Sequence, residues 1–117
     1  MIHRRKFDIR GYGALTSING HLKGYFYEDF YIRTACRVYN INEVDDKYIH
    51  LTNDAIQKNC EDYGKFENGN KLSLSDFQKY LKNKYGNLNI DVQRDLIPQM
   101  KKLVTDTFRS VHKKIDP

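Results

Sequence analysis

The sequence predicts an α+β fold that consists of an N-terminal β-hairpin, long loops and two C-terminal helices. Two runs of β-branched and aromatic residues flank an Asn-Gly pair near the N-terminus, and the last third of the chain has helical periodicity. The chain has 117 residues, of which 39% are hydrophobic and 30% are charged. This length and composition predict at most one domain with a modest core. A large self-sufficient enzyme is not expected at this length.

The hairpin is predicted to extend from Lys6 to about Tyr27, with its turn at Asn19 and Gly20. Asn-Gly supplies the two positive-φ positions that a type I′ turn requires. Three glycines fall inside the predicted strands, where they indicate bulges or a close approach of the backbone to something bound: Gly11, Gly13 and Gly24.

The middle of the chain is predicted to consist mainly of loops. Glu28 to Asn53 lacks a regular period, and short strand or helical pieces are expected only around Tyr31–Thr34 and Tyr48–Leu51. Lys58 to Lys71 is polar and contains Gly and Asn at turn spacing, so it is predicted to be a surface excursion.

Two helices are predicted in the last third. The first follows Ser73 or Ser75 as its N-cap and ends at Gly86. The second keeps an i, i+3, i+4 apolar rhythm for about five turns up to Ile115. Pro98 either lies in the first turn of this helix or kinks a longer helix.

The net charge of +5 favours acidic partners, which include nucleic acid, acidic protein tails and nucleotide phosphates, although a solvated basic surface has the same composition. No stretch approaches the roughly 18 apolar residues that span a membrane, so a cytosolic chain without a membrane partner is expected. Cys36 and Cys60 lack the spacing of a zinc site and are predicted to be free thiols.

Candidate site residues begin on the first strand. Strand alternation places Lys6, Asp8 and Arg10 on one charged face, while Phe7 and Ile9 point to the other. Lysine and arginine complement a phosphate, so this face is a candidate anion site; a solvent-exposed face of mixed charge is the alternative.

Further candidates lie in the predicted loops. Arg33 is a lone cation among aromatic and small residues, where it clamps an anion or stacks on a ring. His50, Thr52 and Asn53 can hydrogen-bond a nucleotide or a carboxylate, while Asn53 can instead cap a following helix. No phosphate-binding loop, zinc-protease or nucleophile-elbow motif accompanies them.

Taken together and in order, four of these segments resemble the tubulin-tyrosine ligase family, whose members add tyrosine, glutamate or glycine to tubulin tails. The segments that carry the resemblance are Arg5–Arg10, Tyr31–Thr34, His50–Lys58 and Asp62–Asn70. It extends over almost the whole chain. The resemblance implies a partial ATP-grasp fold, in which 1–117 is a single partial domain from the middle of the catalytic region.

The resemblance also implies the chemistry. A carboxylate is activated by ATP as an acyl phosphate before an amine attacks it. Arg10 and Arg33 are then the catalytic candidates, holding a carboxylate and the terminal phosphate, and the nucleotide is held by Lys6, Asp8, His50, Thr52 and Asn53. The magnesium ligands are expected outside this chain, so the isolated 117 residues are expected to be inactive.

The implied partners are tubulin tails or microtubules, ATP and a free amino acid, with neither nucleic acid nor membrane. The implied location is the cytoplasm and the cytoskeleton, with a cilium or basal body as a narrower option. A different class of function stays open, namely a non-catalytic remnant that binds acidic tubulin tails or another polyanion. Binding that depends steeply on salt and is unaffected by MgATP would favour that class.

Overall fold

The computed structural model describes residues 1–115. Its elements in chain order are strands β1 (Arg5–Ile18) and β2 (His21–Val38), short helices α1 (Lys47–His50) and α2 (Asp54–Gln57), strand β3 (Lys71–Ser73), and helices α3 (Leu74–Tyr85) and α4 (Ile97–Ile115). The three strands form one sheet in the order β1-β2-β3. The sequence prediction of an α+β chain with a hairpin first and two helices last is confirmed.

The hairpin turn is at the predicted place. Asn19 has φ of 51° and Gly20 has φ of 77°, as a type I′ turn requires. The second strand is much longer than predicted, because β2 continues through Glu28 to Val38. The strand or helical piece expected around Tyr31–Thr34 is therefore confirmed as part of β2, whereas the loop predicted for the rest of this stretch was wrong.

Burial explains why β2 continues. Phe30, Ile32 and Thr34 are each at most 3% exposed, and the residues between them point to the other face. Pairing with β3 protects the same stretch, since Tyr31 lies opposite Ser73 and Ile32 opposite Leu72. The next predicted piece is confirmed, because α1 lies where helix or strand was expected around Tyr48–Leu51.

The stretch from Lys58 to Lys71 contains turns, as predicted, but it is not only a surface excursion. Cys60, Glu67 and Asn70 are each less than 9% exposed. The burial of Glu67 and Asn70 could not be read from the polar composition, because Arg5 and Thr34, which hydrogen-bond them, are distant in sequence. Cys36 and Cys60 are both buried free thiols, as expected.

The helix boundaries follow local capping. The Ser73 hydroxyl accepts the Asp76 N–H at 3.1 Å, so Ser73 caps α3, and that helix ends before Gly86. Pro98 is the second residue of α4, where a missing N–H is tolerated. A π-helical turn, Val92–Leu96, precedes α4. Within residues 1–115, no helix has both the length and the apolar character that a membrane crossing requires.

The chain divides into two compact units. The first comprises Met1–Arg10 and Phe30–Phe77, and its core includes Ile2, Ile32 and Phe77. The second comprises Gly11–Asp29 and the chain from Gln78 onward.

The second unit is built on the close packing of α4 against the hairpin. A Cβ atom on Gly24 would lie 3.0 Å from Phe108 Cδ2, and one on Gly13 would lie 3.2 Å from Val104 Cγ1. The strand glycines thus permit a close backbone approach, as one reading of the sequence predicted. What approaches is α4 of the same chain.

Candidate functional site

The candidate site is a charged cluster on one face of the first unit, centred on an ion pair between β1 and β2. Asp8 Oδ1 accepts a hydrogen bond from Arg33 Nε at 2.8 Å, and Arg33 Nη2 donates to Asp8 Oδ2. The pair is bidentate, which fixes the plane of the guanidinium group. The side chains are 19% exposed for Arg33 and 36% for Asp8, so the pair is accessible from solvent.

Arg33, which the sequence shows as a lone cation among aromatic and small residues, lies on β2 and is held by Asp8 of β1. That ion pair between distant residues was not predicted. The hydrogen bond from Arg33 lowers the pKa of Asp8, an effect that burial partly opposes and that Thr52 and Lys6 reinforce. The Asp8 carboxylate therefore stays ionised well below neutral pH and keeps Arg33 in one orientation.

Lys6 brings the segment from His50 to Thr52 to the same face. Its ammonium group donates to the backbone oxygen of His50 at 2.6 Å. Thr52 is 6% exposed, and its side chain helps to lower the pKa of Asp8. The structure thus gathers Lys6, Asp8, Arg33 and Thr52, which the sequence singled out separately.

His50 contributes to this cluster through its backbone. Its ring nitrogen Nε2 lies 2.7 Å from the backbone oxygen of Glu43, and the ring packs edge-on against Tyr39 with centroids 5.6 Å apart. The imidazole is therefore engaged by the loop that precedes α1. The sequence had assigned the side chain of His50 to the pocket.

Asn53 and Arg10 are the remaining candidates. Asn53 occupies the N-cap position of α2, where its carbonyl accepts the N–H groups of Ile56 and Gln57 at 3.0 and 2.9 Å. Its side chain makes no capping hydrogen bond. Arg10 is exposed on β1, two residues beyond Asp8 and on the same face by strand alternation.

Lys71 is a cation that sequence reasoning did not select. It lies directly opposite Arg33 in the β2–β3 register, so the two side chains share a face of the sheet. Its Nζ atom is 3.7 Å from Asp54 Oδ1 and 5.9 Å from the centroid of the Tyr31 ring. The only sequence signal was the turn-forming Asn68-Gly69-Asn70 before it.

A buried network on the opposite face of the same strands supports the cluster. Arg5 is fully buried, and its Nη1 atom donates to Glu67 Oε2 at 3.0 Å and to the Ala35 backbone oxygen at 2.9 Å. Arg5 Nη2 also donates to Glu67 Oε1, and the Thr34 hydroxyl donates to Glu67 Oε2 at 2.8 Å. The Phe66 ring covers the guanidinium carbon at 4.2 Å.

The cluster suits an anionic ligand. Lys6, Arg33 and Lys71 supply three cations on one face, and fixed cations of this kind complement phosphate oxygens. Within residues 1–115, no three His, Cys, Asp or Glu side chains gather closely enough to hold a metal ion.

Comparison with known proteins identifies the family. The profile of the tubulin-tyrosine ligase family matches residues 1–115. The chain belongs to the tubulin-tyrosine ligase family. This confirms the resemblance inferred from the four sequence segments.

Curated members of the tubulin-tyrosine ligase family are similar to nearly the whole chain. It is 34% identical to the probable tubulin polyglutamylase TTLL9 of Mus musculus over 115 residues, which is 98% of this chain and 24% of that protein. It is 32% identical to tubulin glycylase 3E of Tetrahymena thermophila over 114 residues, 97% of this chain and 8% of that protein.

A third relative is the probable alpha-tubulin polyglutamylase Ttll1 of Tetrahymena thermophila. It is 40% identical over 88 residues, which is 74% of this chain and 21% of that protein. The chain therefore spans about a quarter or less of the length of these relatives.

Proposed function

We propose that this chain is the nucleotide-handling segment of an ATP-dependent ligase that attaches an amino acid to tubulin. The observation that carries the proposal is the Lys6–Asp8–Arg33–Thr52 cluster in a member of the tubulin-tyrosine ligase family. Relatives named polyglutamylases and glycylases make glutamate or glycine the amino acids to test first.

In this proposal Arg33 contacts the terminal phosphate of ATP, and Asp8 holds its guanidinium group in place for that contact. Phosphoryl transfer builds negative charge on the phosphate oxygens, and a cation fixed in advance stabilises that charge without reorganising. Lys6 and Lys71 are on the same face of the sheet as Arg33 and would share the remaining phosphate charge. Thr52 and the backbone near Asn53 complete the nucleotide pocket.

Arg10 has a different proposed role. It lies further along the same charged face, where it would hold the carboxylate that ATP activates as an acyl phosphate. An amine then attacks that acyl phosphate and displaces phosphate, which completes the new carbon–nitrogen bond. The ligands of the magnesium ion that accompanies ATP are proposed to lie outside this chain, in an ATP-grasp region of which this chain is one part.

The partners follow from the family. We propose tubulin tails as the acceptor and the cytoskeleton as the location, with a cilium or basal body as the first place to look. The net charge of +5 suits an acidic tail. Ligation by the 117 residues alone is not expected, because magnesium is the main stabiliser of the transferring phosphate.

Nucleotide binding by the chain is the direct test. A fluorescent ATP analogue should bind in the presence of Mg²⁺, and Arg33→Gln should weaken it about tenfold or more, the effect of losing one charge-assisted contact. Arg37→Gln is the matched control, because Arg37 is on the same strand and pairs with Asp46 instead. Equal loss in both variants, or no binding at all, would refute the assignment.

Activity requires the longer protein that contains this segment. There, Arg33→Ala should abolish most amino-acid incorporation into tubulin while cosedimentation with microtubules is retained. Arg10→Ala should act mainly on the KM of the carboxylate substrate. Unchanged turnover in Arg33→Ala would remove its proposed role in phosphoryl transfer.

A further inference from the structure

Two buried thiols come together in the first unit, and the proposed chemistry uses neither. Cys36 lies on β2 and Cys60 lies three residues beyond the end of α2, and they are 3% and 6% exposed. Both contact the backbone oxygen of Gln57, to which the Cys36 thiol donates at 3.8 Å and the Cys60 N–H donates at 2.9 Å. Cys36 and Gln57 are 21 positions apart in the sequence, so the fold rather than the local chain brings the thiols together.

Cys36 is fixed in place by two further hydrogen bonds. Its backbone N–H donates to Gln57 Oε1 at 3.0 Å, and Asn70 Nδ2 donates to Cys36 Sγ at 3.2 Å. Burial is the main cause of the raised pKa of Cys36, and the side chain of Cys60 is the next cause, which requires the two thiols to be close. Neighbouring thiols on a fixed backbone are the arrangement from which a disulfide forms, because its Cβ atoms are only about 3.5–4.5 Å apart.

The buried polar contacts around these cysteines survive the loss of the two thiol protons. The Asn70 amide uses Cys36 Sγ as an acceptor, a role that a disulfide sulfur retains. Oxidation removes the long hydrogen bond from the Cys36 thiol, but its acceptor, the Gln57 oxygen, keeps the N–H of Cys60. A lasting adduct on either sulfur would instead need space that a packed interior does not provide. The surroundings therefore favour a bond between the two cysteines over any other oxidised product.

We propose that Cys36 and Cys60 are a redox-modification site, at which an intramolecular disulfide forms in the folded chain. The oxidant is a low-molecular-weight disulfide of the glutathione class. The thiolate of one cysteine attacks this disulfide and releases one small thiol, and the thiolate of the other cysteine then attacks the transient mixed disulfide and releases the second. The two protons and two electrons that the cysteines lose are carried away by the two small thiols.

The bond ties β2 to the turn that follows α2. A disulfide restricts the unfolded chain, and it stabilises the fold where the native geometry accommodates it. Disulfides that form inside cells are usually transient and redox-sensing, so the stability of the first unit would follow the surrounding balance of thiols and disulfides. Neither cysteine belongs to the Lys6–Asp8–Arg33–Thr52 cluster, so this property is separate from the proposed nucleotide binding.

The test is the equilibrium of the 117-residue chain with mixtures of reduced and oxidised glutathione, in buffer and in concentrated urea. Equilibria are compared rather than rates, because both sulfurs are buried and exchange slowly. Acid quenching, alkylation and intact mass then count the free thiols. The disulfide should be about tenfold or more favoured in buffer over urea, because the fold holds the two thiols together. By the same linkage, the oxidised chain should have a higher urea midpoint than the reduced chain, and dithiothreitol should restore the lower value.

The double variant Cys60→Ala/Glu61→Cys is the matched control. It moves one thiol by a single position to an exposed residue, so the loop that a disulfide closes is almost unchanged. Its disulfide should match that of the parent chain in urea and gain nothing in buffer, and circular dichroism should show that the variant is folded. An equal gain in buffer would overturn the proposal, because general compaction would then explain the bond.

The parent chain alone can also overturn the proposal. A disulfide that is no more favoured in buffer than in urea would mean that the fold does not hold the thiols together. A lower urea midpoint after oxidation would mean that the native fold resists the bond. Disulfide-linked dimers in place of the intramolecular bond would mean that the two thiols do not meet. ATP binding is measured separately, so it can fail while this proposal stands.

Discussion

Glu67→Gln is expected to destabilise the protein by about 3 kcal/mol, because it breaks a buried ion pair while leaving one charge behind. The Glu67 carboxylate accepts two hydrogen bonds from Arg5 and one from the Thr34 hydroxyl. An amide offers one oxygen and turns N–H groups toward the Arg5 donors. At least one charge-assisted hydrogen bond is lost, worth about 1.5–3 kcal/mol, and the fully buried Arg5 is left without its carboxylate partner.

Urea denaturation measures this cost as a shift of the midpoint at constant slope. Arg37→Gln is the control, because it breaks the pair between Arg37 Nη1 and Asp46 Oδ2, 2.7 Å apart, in which Arg37 is 44% exposed. An exposed pair of that kind should contribute far less to stability than the buried pair. The double variant Arg5→Met/Glu67→Gln removes the orphaned charge and should cost clearly less than the sum of its two single changes.

Two outcomes would refute the reasoning. One is a cost for Glu67→Gln as small as that for Arg37→Gln, which would mean that water reaches the pair. The other is strict additivity in the double variant, which would mean that Arg5 and Glu67 do not interact energetically.

Three further predictions concern other parts of the chain. Gly24→Ala should lower the free energy of unfolding by about 1–3 kcal/mol, because its Cβ would lie 3.0 Å from Phe108 Cδ2. Gly86→Ala is the control, because a Cβ there meets open space, and it should be nearly neutral. Equal urea midpoints for the two variants would contradict this prediction. Burial raises the pKa of Cys36 to about 12. The Cys36 thiol of the folded chain should therefore react with a disulfide reagent at pH 8 far more slowly than that of the unfolded chain. Rapid labelling of Cys36 in the folded chain would contradict this prediction. Arg33 lowers the pKa of Asp8 in the folded chain. The Asp8–Arg33 pair therefore stabilises the fold fully above the unfolded pKa of Asp8, about 3.9, and this stabilisation is lost as the pH falls through the folded pKa. The stability difference between the parent and Asp8→Asn should therefore be constant near neutral pH and shrink below about pH 4, and an unchanged difference there would exclude the pairing.

The sequence predicted the elements whose signals are local. Asn19 and Gly20 specify the hairpin turn by their backbone conformations, and the apolar period identifies α4. Only a short strand or helical piece around Tyr31–Thr34 was predicted there, and the unbroken continuation of β2 was missed because its signal is burial against distant residues. Phe30 and Ile32 alternate with polar and aromatic neighbours in a way that only pairing with β3 resolves.

The site was predictable one strand at a time. Alternation along β1 put Lys6 and Asp8 on one face, but nothing local shows that Arg33 lies across from Asp8. That pairing depends on the length of β2, which was misjudged. The Arg5–Glu67 pair was harder to predict, because the two residues are 62 positions apart and both are of types that usually lie on the surface.

We expect the two faces of the sheet to be energetically linked through β1. Arg5 and Lys6 are neighbours on β1 with opposite orientations, so the buried Arg5–Glu67 network fixes the strand that presents Lys6 to the cluster. Glu67→Gln should therefore weaken binding of the fluorescent ATP analogue even under conditions where the variant is fully folded. Gly24→Ala is the control, because it lowers stability in the second unit without touching the network. Unchanged affinity in folded Glu67→Gln would show that Glu67 stabilises the fold without positioning the Lys6–Asp8–Arg33–Thr52 cluster.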